Sequence, residues 1–310
     1  MIEIRPAQAK DLPEILSVLK AGLGEGLIKK NQEIWNYKHI ENPFGKSLVW
    51  VGIADKKIVG VRAFMQWKWQ KGNHVYQTYR AVDTATHPDY QGRGIFKQLT
   101  LKAVEEAAKT HQFVFNTPNE KSRPGYLKMG WKIAGKINVK IIPVQAYIFS
   151  KSKSTPNIND YENLKNLCDN YNKNLSQSGK IFTPKTPEYL KWRYEQNPII
   201  KYNVFQGKNY YTAVYKKKHK YFNELRISEN IYNTNDKETK NIIKANILKF
   251  AKENKCQIIT QTGKQLFSMG LKGNFGPILT VKNLSLNQNQ FEQIKQIQNW
   301  EYGLGDLELF

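Results

Sequence analysis

Runs of β-branched and aromatic residues alternate along this chain with stretches in which apolar positions return every three or four residues. The first rhythm predicts strands, the second helices packed by one face. Ile2 to Arg5 reads as a first strand. Asp11 caps the helix that follows, with Glu14 in its first turn and Ile15, Val18 and Leu19 as its apolar face. Gly22 to Gly26 breaks that helix, and Glu33 to Ile40 forms a second, stopped by Asn42-Pro43. Val49 to Ala54 and Ile58 to Met65 make a hairpin about the turn Asp55-Lys56-Lys57. Val75 to Arg80 leads into a further strand over Val82 to Thr86.

The segment Ala81 to Phe96 carries the clearest chemistry. His87-Pro88-Asp89 ends the strand, because proline cannot donate to a ladder and restricts the residue before it. Gln91-Gly92-Arg93-Gly94 then opens directly into a helix in which Ile95, Leu99, Ala103 and Ala107 recur every four residues. A glycine loop entering a helix offers unpaired backbone N–H groups at the positive end of the helix dipole, which suits phosphate. The loop is not a dinucleotide fingerprint, since Lys97 stands where its third glycine would fall, and it lacks the Gly-Lys-Ser/Thr of a Walker loop. Downstream, His111 to Asn116 is a short apolar strand, followed by Asn119, Tyr126 and Gly130-Trp131.

The second half repeats this plan. Trp35 to Pro43 aligns with Leu190 to Pro198 at a constant offset, pairing Tyr37 with Trp192, Lys38 with Arg193, His39 with Tyr194 and one Asn-Pro with the other. A helix over Tyr161 to Cys168, a hairpin over Asn203 to Gln206 and Tyr210 to Tyr215, and a long helix opened by Asn235 to Glu238 follow in the same order. Gln257 to Gly263 parallels Gln112 to Pro118, and Met269-Gly270 parallels Met129-Gly130. One feature is missing: Ser228 to Thr234, ahead of the long helix, holds no glycine, so no phosphate cradle can be read there.

Composition narrows the class. A chain of 310 residues, 40% hydrophobic and 12% aromatic, suits two packed domains. No apolar run is long enough to span a membrane, and Glu3 and Arg5 sit where a signal peptide would be apolar, so a cytoplasmic protein without membrane partners is expected. Cys168 and Cys256 are too few for a disulfide scaffold, and the five histidines show no metal-ligand spacing. The formal charge of +22 would attract a polyanion. Lys is spread through both halves with no nucleic-acid motif, which argues against nucleic acid. The charges give no oligomeric state.

Gln91-x-x-Gly94 after a strand ending in His-Pro-Asp-Tyr resembles the acyl-CoA-binding motif of the GNAT N-acetyltransferases. Phe96 departs from it, standing where a small residue is usual. Asn119, Tyr126 and Gly130-Trp131 resemble the turn and helix after the family's fifth strand, and Ile2 to Glu14 its first strand and helix. The resemblance covers residues 1–148. It implies an α/β fold of two GNAT-like domains in tandem, each a mixed, mostly antiparallel twisted sheet flanked by helices. The division would be a catalytic domain over 1–148, a linker over 149–159, rich in Ser, Lys and Asn, and a degenerate copy over 160–310.

The implied activity is acetyl transfer from acetyl-CoA, without a metal, to a small-molecule amine such as an amino sugar, by direct attack in a ternary complex. Gln91, Gly92, Arg93, Gly94, Ile95 and Phe96 would hold the pyrophosphate and Asn119 the pantetheine arm. Backbone N–H groups at Ala85 and Thr86 would polarise the thioester. Tyr126 stands at the general-acid position, and Asp83, on the same strand, is a candidate base or ammonium binder. Trp67, Trp69 and Tyr76 could stack on a sugar or fill the core. The acidic, aromatic tail Asn299 to Phe310 should dock on so basic a chain. It would either line the acceptor pocket, ending at Phe310, or add a final strand to the second sheet. Two other classes fit the same outline: a tRNA-dependent aminoacyl transferase of tandem-GNAT kind, and a non-catalytic acyl-CoA-binding protein.

Overall fold

In a computed structural model, residues 2–26, 28–147, 161–233, 235–263 and 266–307 are described. The expected linker and Phe310 lie outside them. The first half runs β1 (Glu3–Pro6), α1 (Leu12–Leu23), α2 (Gln32–His39), β2 (Leu48–Ala54), β3 (Lys57–Lys71), β4 (His74–Thr86), α3 (Ile95–Ala107), β5 (Phe113–Asn116), α4 (Arg123–Lys128), β6 (Lys132–Lys136) and β7 (Val139–Pro143). The second runs α5 (Tyr161–Gln177), α6 (Pro187–Leu190), β8 (Asn203–Gly207), β9 (Tyr210–Lys218), β10 (Asn223–Tyr232), α7 (Lys237–Glu253), β11 (Ile258–Gln261), β12 (Leu271–Gly273), β13 (Ile278–Asn283), α8 (Gln288–Ile294) and α9 (Leu304–Leu307).

Two mixed sheets result, as the repeat predicts. Their orders are β1-β2-β3-β4-β5-β13-β6 and β12-β7-β11-β10-β9-β8. The halves exchange a strand. β7 of the first half lies between β11 and β12, and β13 of the second lies between β5 and β6. A cut at residue 148 therefore divides the chain but not the sheets. The exchange buries each inserted strand on both edges, so its N–H and C=O groups are satisfied only when both halves are folded.

β3 is longer than its apolar run suggested, because its far end crosses into the second half. Trp67 and Trp69 are fully buried there. Trp67 Nε1 donates to Thr183 Oγ1 at 3.1 Å, and Trp69 meets Trp300 edge-on at 4.6 Å. With Tyr76 they fill the core between the halves, so they are not free to stack on a sugar. The internal repeat meets itself at this core. Tyr37 and Trp192 stack at 5.0 Å, Tyr37 OH donates to the Trp192 carbonyl at 3.0 Å, and Trp192 Nε1 donates back to the Tyr37 carbonyl at 2.9 Å. Such reciprocity between equivalent residues is the mark of a pseudo-two-fold axis.

The tail adds no strand among its described residues. Trp300 is buried, and Leu304–Leu307 form a helical turn wedged between the halves. Arg80 on β4 donates to the carbonyls of Asp306 and Leu307 at 3.0 and 2.5 Å, and Arg193 donates to that of Gly305. The Asp306 carboxylate takes Lys185 at 2.8 Å and Tyr189 OH at 3.0 Å. The docking of an acidic tail on buried cations agrees with the charge argument.

Candidate active site

The site opens where two parallel strands part. β4 pairs with β5 only from Thr78 to Arg80, opposite Phe113 to Phe115. Beyond those residues the ladder stops and a wedge is left between Asp83–Thr86 and the segment after Asn116. The cause is a bulge: the β3–β4 register slips between Arg62 and Ala63, and Asp83 takes a φ of 30°. In the last stretch of β4 the backbone alternates. His87 N donates to Val59 on β3, and the Ala85 carbonyl is turned toward Gly60. The Thr86 carbonyl instead takes the Gln91 side-chain amide at 3.3 Å. Strand geometry then aims the Thr86 N–H, and the Thr84 N–H two residues back, into the wedge, while that of Ala85 points to β3. Of the two expected backbone donors, Thr86 is placed to meet a carbonyl oxygen; Ala85 supplies wall.

A cleft of about 580 Å³ continues from the wedge to the glycine loop, lined by Gly22, Thr84, Ala85, Thr86, Gln91, Gly92, Gly94, Ile95, Phe96, Asn119 and Gly125 among others. Gly92 and Gly94 have φ of 78° and 73°. Gly94 is the N-cap of α3 in left-handed conformation with no side chain capping it, so the first-turn N–H groups face the cleft unblocked. A Cβ at Gly92 would meet nothing but the cleft itself. These features fit a pyrophosphate. Arg93 lies over the Tyr90 ring at 4.8 Å, with one guanidinium nitrogen on the Asp89 carbonyl, and is not among the residues lining the cleft. Phe96 finds its room in α4. Its ring packs edge-on against Tyr126 at 5.5 Å, and a Cβ on Gly125 would come within 3.2 Å of it. A large residue in the loop is matched by a missing side chain across from it.

Asn119 accepts from Ser122 N and Oγ at 2.8 and 2.9 Å, which fixes its carbonyl and leaves its amide N–H₂ on the cleft side. Tyr126 is buried, and its hydroxyl oxygen accepts from Arg62 Nη1 at 2.7 Å. Arg62 is itself fully buried on β3, and its Nε and Nη2 have no partner among the described residues. With its acceptor lone pair taken by a cation, the Tyr126 hydroxyl is left as a donor, which is what proton delivery requires.

Asp83 is already committed. Lys38 from α2 forms an ion pair with Asp83 Oδ2, and His39 Nε2 lies 3.0 Å from the same oxygen. Burial alone would raise the Asp83 pKa, but these neighbours outweigh it and hold the carboxyl far below the usual range. So held, it is a poor proton acceptor at neutral pH. His39 is pushed down by burial against the pull of Asp83, and its Nδ1 meets Ser47 Oγ at 2.8 Å. In the second half Tyr194, the counterpart of His39, donates its hydroxyl to Glu229 Oε2 at 3.2 Å.

The second half offers no phosphate cradle. The Asp236 carboxylate caps α7, accepting from Thr239 N at 2.9 Å and from Thr239 Oγ1 at 2.6 Å. An anion cannot enter a helix end already closed by an anion. The structure thus gathers Gln91, Gly92, Gly94, Ile95, Phe96, Thr86 and Asn119 around one cleft. It buries Tyr126 against Phe96, outside the residues that line that cleft, and sets Asp83 at the β4 bulge. Sequence reasoning passed over Arg62, Lys38 and His39. A lone arginine inside the apolar run Ile58 to Met65, and two cationic types on the buried face of α2, were the available signals.

Such a splayed parallel pair above a glycine loop, in a mixed sheet flanked by helices, defines an acyltransferase fold of the GNAT type, repeated here in tandem. Residues 3–134 match the family model for an acetyltransferase (GNAT) domain. No curated protein matches the sequence. Among solved structures, a GCN5-related N-acetyltransferase from Anabaena variabilis superposes with a TM-score of 0.70 at 12% identity, over 92% of this chain and 73% of that one. A protein of unknown function from Enterococcus faecalis, described as a probable N-acyltransferase, gives 0.69 at 13% with the same coverage. A GCN5-related N-acetyltransferase from Kribbella flavida gives 0.63 at 11%, over 91% and 71%. At such identities these likenesses speak to fold. Among the described residues no helix is long and apolar enough to cross a membrane, and no cluster of His, Cys, Asp and Glu could hold a metal.

Proposed function

We propose that the first half transfers an acetyl group from acetyl-CoA to a small amine, with both reactants bound together. The observation that carries this reading is the contrast between two equivalent helix ends, α3 open at Gly94 and α7 closed by Asp236. Only the first can take a pyrophosphate.

When bound, acetyl-CoA supplies the activated acyl group; the chain supplies position and polarity. Thr86 N–H donates to the thioester carbonyl as charge builds on its oxygen. Asn119 holds the arm that reaches the wedge. Tyr126 delivers a proton to the departing thiolate, its oxygen fixed by Arg62. Asp83 locks α2 to the bulge through Lys38 and His39, which keeps the Thr84 and Thr86 N–H groups aimed. The tandem layout is what favours an amino sugar as acceptor, since Trp67, Trp69 and Tyr76 are core residues.

Tyr126→Phe tests the acid role. Acetyl-CoA affinity should stay near wild type while kcat falls roughly 100-fold, the usual scale for general acid catalysis. A free-thiol readout over amino sugars, polyamines, amino acids and peptides supplies the acceptor. A change below about threefold with chemistry rate-limiting would assign the proton to water instead.

A further inference from the structure

The second half holds a cleft of its own beside the junction equivalent to the glycine loop. α5 packs on β10 as α1 packs on β4, and between α5 and the β10–α7 junction lies a cleft of about 580 Å³. That is an ordinary size for a small-ligand pocket. Its chemistry is unlike that of the first. Asn166, Asn170 and Asn174 recur every four residues along one stripe of α5, and Asn209 and Asn233 line the same space. Lys165, Asp169 and Lys173 of the same helix are absent from the lining, although the chain as a whole is rich in lysine. Among the described residues, the charged groups that line it are Lys208 and Asp236, one of each sign. The side chains of Asn170, Asn174 and Asn209 have no hydrogen-bond partner among the described residues.

We propose that this cleft binds a neutral carbohydrate. Each carboxamide offers one acceptor and two N–H donors without charge, which matches a surface of hydroxyl groups that both give and take hydrogen bonds. The Tyr171 ring adds an apolar wall for the C–H face of a sugar. Phosphate is excluded because Asp236 occupies the helix end. β10 is bonded to β9 along its length and to β11 only from Glu224 to Arg226, so a peptide is the competing occupant that the test separates. The first half's site and this one are then two separate sites of different chemistry built on one repeated plan.

Saturation-transfer NMR on the full chain with chitotriose, maltotriose and cellotriose tests this, with trialanine as the peptide probe. At least one trisaccharide should receive transfer, reduced fivefold or more in the double variant Asn170→Leu, Asn174→Leu. The variant's melting temperature should match wild type; if it does not, Asn170→Asp with Asn174→Asp is used in its place. No transfer to any trisaccharide would overturn the proposal. So would transfer unaffected by the substitutions, or equal transfer to trialanine that the substitutions remove. None of these outcomes depends on what the first cleft binds.

Discussion

Lys38 donates to Asp83 from α2 and His39 meets the same oxygen, and this pairing decides what each group can do. Asp83→Asn would leave the buried Lys38 ammonium without its counter-charge. Removing one partner of a buried pair costs about 3 kcal/mol or more, so the urea midpoint should fall clearly. Lost turnover at unchanged stability would instead make Asp83 the base. His111 gives a pH dependence. It stacks on Tyr79 at 3.9 Å, bonds Gln66 Oε1 at 2.9 Å, and burial pushes it down to about 4. An unfolded histidine titrates near 6.5. Between these values the unfolded chain takes up a proton that the native state refuses, so this contribution is complete above about pH 6.5 and is lost as the pH falls toward 4. In His111→Gln the stability difference between pH 7 and pH 5 should shrink; an unchanged difference would place the titration elsewhere. At this scale the sequence pointed to Gln91, Gly94 and Asn119, which line the cleft because loop chemistry that is local in the chain puts them there. It did not reveal Arg62 or His39, because a buried charge is recognised only once its neighbours are known.

Helices and hairpins were readable wherever the apolar period was local. α1, α2, α3 and α7 fall where their apolar stripes put them, but Asp11 does not cap α1: its carboxylate is taken by Arg5 and by the Gln8 N–H. β3 ran further than expected because Trp67 and Trp69 are buried by the other half, which no local pattern announces. Nor could the exchange of β7 and β13 be read, since a strand's own residues do not name the sheet it will join. The exchange has a thermal consequence. Each sheet holds a strand from the other half at its interior, so neither can melt alone without exposing the ladder groups of two neighbouring strands. Calorimetry of the full chain should show one transition with matching calorimetric and van't Hoff enthalpies. Two resolved transitions would mean that the halves unfold independently.

Across the whole molecule, duplication has divided the labour. Both halves keep a bulged central strand, with Asp83 at one bulge and Glu229 beside the other, and both keep a cleft beyond it. One helix end stayed open and the other was closed by a carboxylate. The tail then crosses between the halves, held by Arg80, Arg193 and Lys185 around Gly305, Asp306 and Leu307. We propose a single acyl-CoA site, built on the open end of α3. Isothermal titration of the full chain with acetyl-CoA tests it directly, in wild type and in Gly94→Val. A β-branched side chain at the left-handed Gly94 position both strains the loop and fills the approach to the N–H groups. The account predicts a stoichiometry of one per chain in wild type and no measurable binding in Gly94→Val at unchanged melting temperature. Unchanged affinity in the variant, or two equivalent sites in the wild type, would contradict it.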